Sequence, residues 1–230
     1  MSQTLSIPPF IDPDWAKVHS IPIYDDGSRL ERIPEKAYWL IEPVYAYYEI
    51  EGAIGQCYLR PSVIERLERA ARTIERAGLL MQILDGWRPP RVQQALYQSL
   101  YDSYQQQYPD EGEAQWHKRT QYFVSLPSEQ LHKPSPHLTG GSVDVTLCSA
   151  EGEPLDMGSE FDEASERSYS DAYEHQAGDI RKRRRLLYQA MIEAGFTNLS
   201  SEWWHYDYGN QSWAYHRGET NAHYGLIYLD

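Results

Sequence analysis

With 230 residues, 41% of them hydrophobic and 24% charged, the chain has enough apolar mass for a full core and lacks the low-hydrophobicity profile of a disordered protein. A formal net charge of −13 argues against a nucleic-acid surface, which needs a clustered excess of lysine and arginine. No run approaches the roughly 18 apolar residues of a membrane span, and the stretch Met1 to Phe10 shows no basic leader followed by an apolar segment, so a cytoplasmic protein away from membranes is expected.

Proline, tyrosine and acidic residues dominate the first part of the chain, to about residue 60, which reads as irregular structure with one or two strands, one near Tyr38-Trp39-Leu40-Ile41. From Ser62 the periodicity turns helical. Ser62-Val63-Ile64-Glu65 has capping-box spacing, Ile64, Leu67, Ala71 and Ile74 follow on one face, and Gly78 closes the helix. Leu79 to Leu84 reads as a buried strand, and Val92, Leu96 and Leu100 mark a second helix running from Pro89-Pro90 to a stop at Pro109. Residues 127–141, dense in Pro, Ser, His and Gly, form a loop before a strand at Ser142 to Leu147, with Val143, Val145 and Leu147 on one face and Asp144 and Thr146 on the other. A helix near residues 179–194 ends at Gly195, and Trp203 to Tyr208 reads as a last strand. The basic run Arg181 to Arg185 at the start of that helix reads as a solvated face. Helices and strands mix without βαβ alternation, which predicts an α+β fold, in one domain over residues 1–230 with a core from about 61 to 210. Cys57 and Cys148 fit no metal or redox spacing and are expected as free thiols, with a single disulfide as the alternative.

Spacing must single out functional histidines from the eight present. His137 in the loop and Asp144 on the following strand can converge on a metal ion, and His205 can complete a set of three N and O ligands, leaving a catalytic zinc one open position for water. Glu202, three residues before His205, can reach the same site as a general base, provided the chain turns between them. The alternative makes Glu202 the ligand and Asp144 structural. Arg88, in the turn Asp85-Gly86-Trp87-Arg88-Pro89-Pro90, can stabilise an oxyanion or simply pair with a carboxylate.

Four ordered segments carry a resemblance: Asp85-Gly86-Trp87-Arg88-Pro89; Ser135-Pro136-His137-Leu138-Thr139-Gly140 running into Asp144-Val145-Thr146-Leu147; Asp156-Met157-Gly158-Ser159 with Phe161-Asp162; and Glu202-Trp203-Trp204-His205. Together they resemble the D-alanyl-D-alanine dipeptidases of the vancomycin-resistance type, zinc enzymes sharing a fold with VanY-type D,D-carboxypeptidases and the hedgehog signalling domain. The resemblance spans about residues 62 to 208 and implies a central, mostly antiparallel sheet flanked by helices. It implies one zinc ion on His137, Asp144 and His205, Glu202 as general base, Arg88 stabilising the transition state, Ser135 near the substrate and Asp162 reading the free ammonium of a small D-amino-acid dipeptide. One departure is Ser142, where the family usually has a small apolar residue. Two other functions stay open on sequence grounds: a carboxypeptidase trimming cell-wall peptides, and a non-catalytic zinc-stabilised binding module, against which Glu202 and Arg88 both speak.

Overall fold

The computed structural model describes residues 5–229; Met1 to Thr4, part of the stretch read above for a leader, and Asp230 lie outside the described residues. In chain order the elements are α1 (Trp15–Ser20), β1 (Glu31–Arg32), β2 (Trp39–Ile41), α2 (Val44–Tyr47), β3 (Tyr58–Leu59), α3 (Pro61–Arg76), β4 (Leu80–Asp85), α4 (Pro90–Gln107), α5 (Glu113–Phe123), a 3-10 turn at Pro136–Thr139, β5 (Ser142–Cys148), a second such turn at Glu166–Ser168, α6 (Asp179–Glu193), β6 (Thr197–Asn198), β7 (His205–Asp207) and α7 (Gln211–Arg217). The fold is α+β, built on a five-stranded sheet in the order β2-β4-β5-β7-β6. β2 pairs with β4 in parallel, and the other neighbours run antiparallel.

Alternation along the strands divides the sheet into two chemically different faces. Met81 and Ile83 of β4, Val143, Val145 and Leu147 of β5 and Tyr206 of β7 form one core with Leu67, Ala71 and Ile74 of α3 and Leu187, Ala190 and Met191 of α6. Ser142, Asp144 and Thr146 point the other way, level with His205 and Asp207 on β7, where Asp144 lies opposite His205 and Ser142 opposite Asp207. A register shift between Ile83 and Asp85 sets Asp85 opposite Asp144 instead of Val143, which turns Asp85 off the core face and onto this polar one. Asp85, Asp144 and His205 thus form a row across three strands.

Several expectations need correction. α3 starts with Pro61 in its first turn, where the missing N–H costs nothing, and the capping box at Ser62 does not form; the Ser62 hydroxyl meets the Tyr224 hydroxyl instead. The basic run is not a uniformly solvated face either. Lys182 does stay at the surface with Asp179, but Arg184 is buried and donates to the carbonyl oxygens of Met157 (2.7 Å), Arg167 (2.8 Å) and Tyr169 (2.5 Å), while Arg185 pairs with Glu174. Five donors on a planar fork suit such multiple acceptors, and they brace the loop that carries Asp162. Both cysteines are free and buried.

Asp25 and the stretch from Gly225 to Ile227 meet beside the 3-10 turn at Pro136–Thr139. Arg60 donates to the Thr139 carbonyl (2.9 Å) and pairs with Asp25 (2.7 Å), whose carboxylate also accepts from the Gly225 N–H (2.6 Å). Ile227 donates its N–H to the Leu138 carbonyl (3.1 Å) and accepts from the Trp87 indole (2.9 Å). Among the described residues no helix is long and apolar enough to cross a membrane.

Candidate metal centre

His137 sits in the 3-10 turn that leads into β5. The turn closes through Gly140 in the left-handed region (φ 69°), where a Cβ would also come within 2.5 Å of Leu30, and at Gly141 a Cβ would come within 2.5 Å of the Tyr208 carbonyl oxygen. These two glycines let the loop fold tightly enough for His137 to face Asp144. Asp144 and His205 are already neighbours by strand register. One ligand atom from each of the three residues can be chosen so that all lie within 4.8 Å of one another, and all three side chains are buried.

Each imidazole presents one nitrogen inward and has the other engaged. His137 Nδ1 donates to the Gly86 carbonyl (2.7 Å), leaving Nε2 3.2 Å from His205 Nδ1 and 3.4 Å from an Asp144 carboxylate oxygen. His205 Nδ1 is 3.0 Å from Asp144, and its Nε2 is 3.1 Å from Asp207, which also accepts from the Ser142 hydroxyl (2.6 Å) and the Asn210 amide (2.7 Å). Two nitrogens and a carboxylate oxygen converging, with the outer nitrogens held by a carbonyl and a carboxylate, fit the requirements of an open zinc site.

Arg88 is buried against the same centre. It donates through Nε to Asp85 (2.7 Å), through Nη1 to Gln93 (2.8 Å) and through Nη2 to Asp144 (3.0 Å), and it lies over the Tyr45 ring. The bland reading of Arg88, pairing with a carboxylate, is therefore true of it, but those carboxylates belong to the centre itself. Glu202 lies in the turn before β7, with its N–H on the Leu199 carbonyl (2.9 Å), so the irregularity its spacing required is present. Its carboxylate comes within 4.0 Å of His205 Nδ1 and keeps 22% exposure. Asp162, at φ 59°, accepts from the Tyr45 hydroxyl (2.7 Å). Glu202, Arg88, Asp162, Ser135, His137 and His205 all line one cavity of about 910 Å³, whereas the buried Asp144 is not part of its lining. Ser135 is buried in the loop and accepts from the Ser128 N–H (2.7 Å).

Charge is distributed unevenly in this pocket. Burial would raise the pKa of Asp144, but His137 and His205 hold it well below the usual carboxylate range. Burial alone would lower the pKa of His205, yet Asp207 and Asp144 hold it well above its ordinary value. Burial pushes Glu202 up to about 8, with Asp144 and Asp162 adding to the shift against His205 and Arg88. The Asp162 carboxyl stays accessible from the cavity, but the surrounding walls displace enough bulk water to push its pKa up to about 6, against the pull of Arg88.

Because Asp207 and Asp144 favour the protonated imidazole of His205, a cation binding at its Nδ1 would compete with that proton. Zinc binding is expected to release about one proton, and its apparent affinity to weaken about tenfold per pH unit of acidification while that proton is displaced. Calorimetry in buffers of different ionisation enthalpy measures the release. Equal heats in every buffer would contradict it.

Sequence reasoning missed Asp207, Gln93 and Tyr45 and gave Asp85 no role. For Asp207 a signal existed, because a residue two positions beyond His205 on a strand shares its face. Tyr45 and Gln93 reach the site only through tertiary packing.

The family model described as D-Ala-D-Ala dipeptidase, peptidase family M15, matches residues 47–223. A D-alanyl-D-alanine dipeptidase from Synechocystis is 32% identical, covering 90% of this chain and 95% of its own length. One from Escherichia coli K12 is 33% identical over 66% of this chain and 67% of its own. A solved vancomycin-resistance D,D-pentapeptidase in complex with Zn(II) aligns at 18% identity and a TM-score of 0.47, over 80% of this chain and 96% of that one. On the extent of the family match and of the Synechocystis alignment, this chain belongs to the M15 family of D-Ala-D-Ala dipeptidases and is a metallopeptidase.

Proposed function

We propose that the protein hydrolyses D-Ala-D-Ala, or a closely related D-amino-acid dipeptide, with one zinc ion held by His137, Asp144 and His205. The observation that carries this reading is the shared cavity: the only partly exposed carboxylate of Glu202 and the guanidinium of Arg88 face the space beside three convergent ligands. Bound there, zinc would supply a Lewis acid and make a water molecule acidic near neutral pH.

The residues divide the remaining work. Glu202 accepts a proton from the attacking water and returns it to the leaving amine; its raised pKa makes it a stronger base than a solvated glutamate, and a cation nearby draws that pKa back toward neutrality. Arg88 is fixed by Asp85 and Gln93, so its charge is in place before negative charge develops on the substrate carbonyl oxygen, and no reorganisation is needed. Asp162, aligned by Tyr45, pairs with the substrate ammonium, and Ser135 orients the substrate from the opposite loop.

The test compares D-Ala-D-Ala with N-acetyl-D-Ala-D-Ala on zinc-loaded protein. Free D-alanine should appear from the first, and blocking the amine should reduce kcat/KM by roughly 10² or more, since the carboxylate of Asp162 is then left unpaired. Asp162→Asn should raise KM for the free dipeptide and narrow that gap. Faster cleavage of the acetylated peptide would instead favour a carboxypeptidase.

A further inference from the structure

Ser142 stands where the family usually has a small apolar residue, and its hydroxyl is engaged. The side chain is fully buried on the face of β5 that also carries Asp144, and it lies opposite Asp207 as Asp144 lies opposite His205. On this face the four residues form two adjacent cross-strand pairs. One pair holds two of the three candidate ligands, and the other is Ser142 with Asp207.

Three groups meet on a single oxygen of Asp207. The Ser142 hydroxyl is 2.6 Å from it, the Asn210 amide nitrogen 2.7 Å and His205 Nε2 3.1 Å. The same Asn210 nitrogen donates to the Ser142 oxygen (3.0 Å), which closes a triangle, and the Asn210 oxygen accepts from the Trp213 N–H (2.9 Å) at the start of α7. That backbone bond leaves the amide one orientation: its oxygen is taken, so its NH2 group faces Asp207. Asp207 is 1% exposed, and fixed donors rather than bulk water therefore set where its charge sits. The two shorter bonds come from Ser142 and Asn210, neither of them a candidate ligand, and the longer one is to His205. A serine and an aspartate that merely satisfied each other would use an oxygen of their own. Here they share it with the imidazole whose other nitrogen faces Asp144.

We propose that Ser142 and Asn210 are positioning residues for the metal: acting through Asp207, they hold the His205 ring with Nδ1 turned to the cation, and the hydroxyl of Ser142 tightens zinc binding. The proposal rests on the zinc reading of His137, Asp144 and His205 and adds two residues that are not ligands.

Zinc affinity, measured by chelator competition, and the visible spectrum of the cobalt(II)-substituted protein test it without recourse to turnover. Ser142→Ala should weaken zinc binding by roughly three- to tenfold, the effect of one lost hydrogen bond, and shift the cobalt bands, which follow ligand geometry. Asn210→Ser keeps a capping oxygen for the Trp213 N–H and loses the donor to Asp207, so it should act in the same direction. Asp207→Asn should weaken binding by roughly 10- to 100-fold. Adding Ser142→Ala to Asp207→Asn should cost less than about twofold more, because the two act in series. A serine with only a structural role would lower the melting temperature and leave the cobalt spectrum as it was. The proposal is overturned, with the zinc reading intact, if either Ser142→Ala or Asn210→Ser keeps the parental affinity or cobalt spectrum, or if the losses from Ser142→Ala and Asp207→Asn multiply. A parent that binds no zinc removes the zinc reading and this proposal with it.

Discussion

Glu202→Gln is expected to lower kcat by roughly 10²–10⁴ while zinc content stays at the parental level. The substitution keeps the size and hydrogen-bonding reach of the side chain and removes only its capacity to take a proton. Glu202 stands outside the cluster of His137, Asp144 and His205, at 4.0 Å from the nearest imidazole nitrogen, so metal retention separates its role from that of a ligand. The pH profile provides a second readout. A general base works only as the carboxylate, so parental kcat/KM should fall as pH drops through the Glu202 pKa, and that acid limb should vanish from the residual activity of the variant. Loss of zinc from Glu202→Gln would instead support the alternative in which Glu202 is a ligand.

Asp144→Asn should have the larger effect on the metal. The carboxylate lies between His137, His205 and Arg88 and is only 1% exposed, so its removal deletes one ligand and leaves cationic groups buried without the charge that holds them together. Zinc affinity should fall by more than the roughly 10- to 100-fold that follows loss of an outer-shell partner, and activity should fall with it. Breaking a buried ion pair from one side typically costs about 3–5 kcal/mol, so the metal-free variant should also melt below the metal-free parent. Thermal unfolding with and without zinc reads both effects: the parent gains stability in proportion to the logarithm of zinc concentration over its dissociation constant, and Asp144→Asn should gain almost none. A variant that melts like the parent and responds to zinc like the parent would exclude Asp144 from the centre.

Period and punctuation made much of this legible. The strand at residues 142–147 alternates so strictly that its two faces could be assigned from sequence, and the core face carries Val143, Val145 and Leu147 as expected. α3 and α6 were legible for the same reason, since Leu67, Ala71 and Ile74, and Leu187, Ala190 and Met191, recur at helical intervals. The three potential ligands could be singled out because they sit on or next to a clear strand and inside family motifs, and the structure brings them together. α1, α5 and α7 went unseen. Thr120 is the single buried residue of α5 and Val18 that of α1, so neither carries an apolar stripe, and their positions depend on contacts distant in sequence. Arg184 was misread because a guanidinium that satisfies several loop carbonyls looks, in sequence, like any member of a basic run. The reorientation of Asp85 was also hidden, because a one-residue slip in pairing leaves no mark on the strand that slips.

The bonds that join Ile227 to Leu138 and Trp87 tie the candidate centre to a stretch far along the chain from any of its ligands but His205. A nascent chain translated only as far as β5 already holds His137 and Asp144, yet it lacks His205, the Asp207 carboxylate behind it and the clasp on the 3-10 turn. Without the contacts of Ile227, the turn that carries His137 loses a brace that lies more than 80 residues away in sequence. A substitution that pulls Ile227 away from Leu138 and Trp87 should therefore loosen the turn that carries His137, even though residues 225–227 supply none of the three candidate ligand side chains.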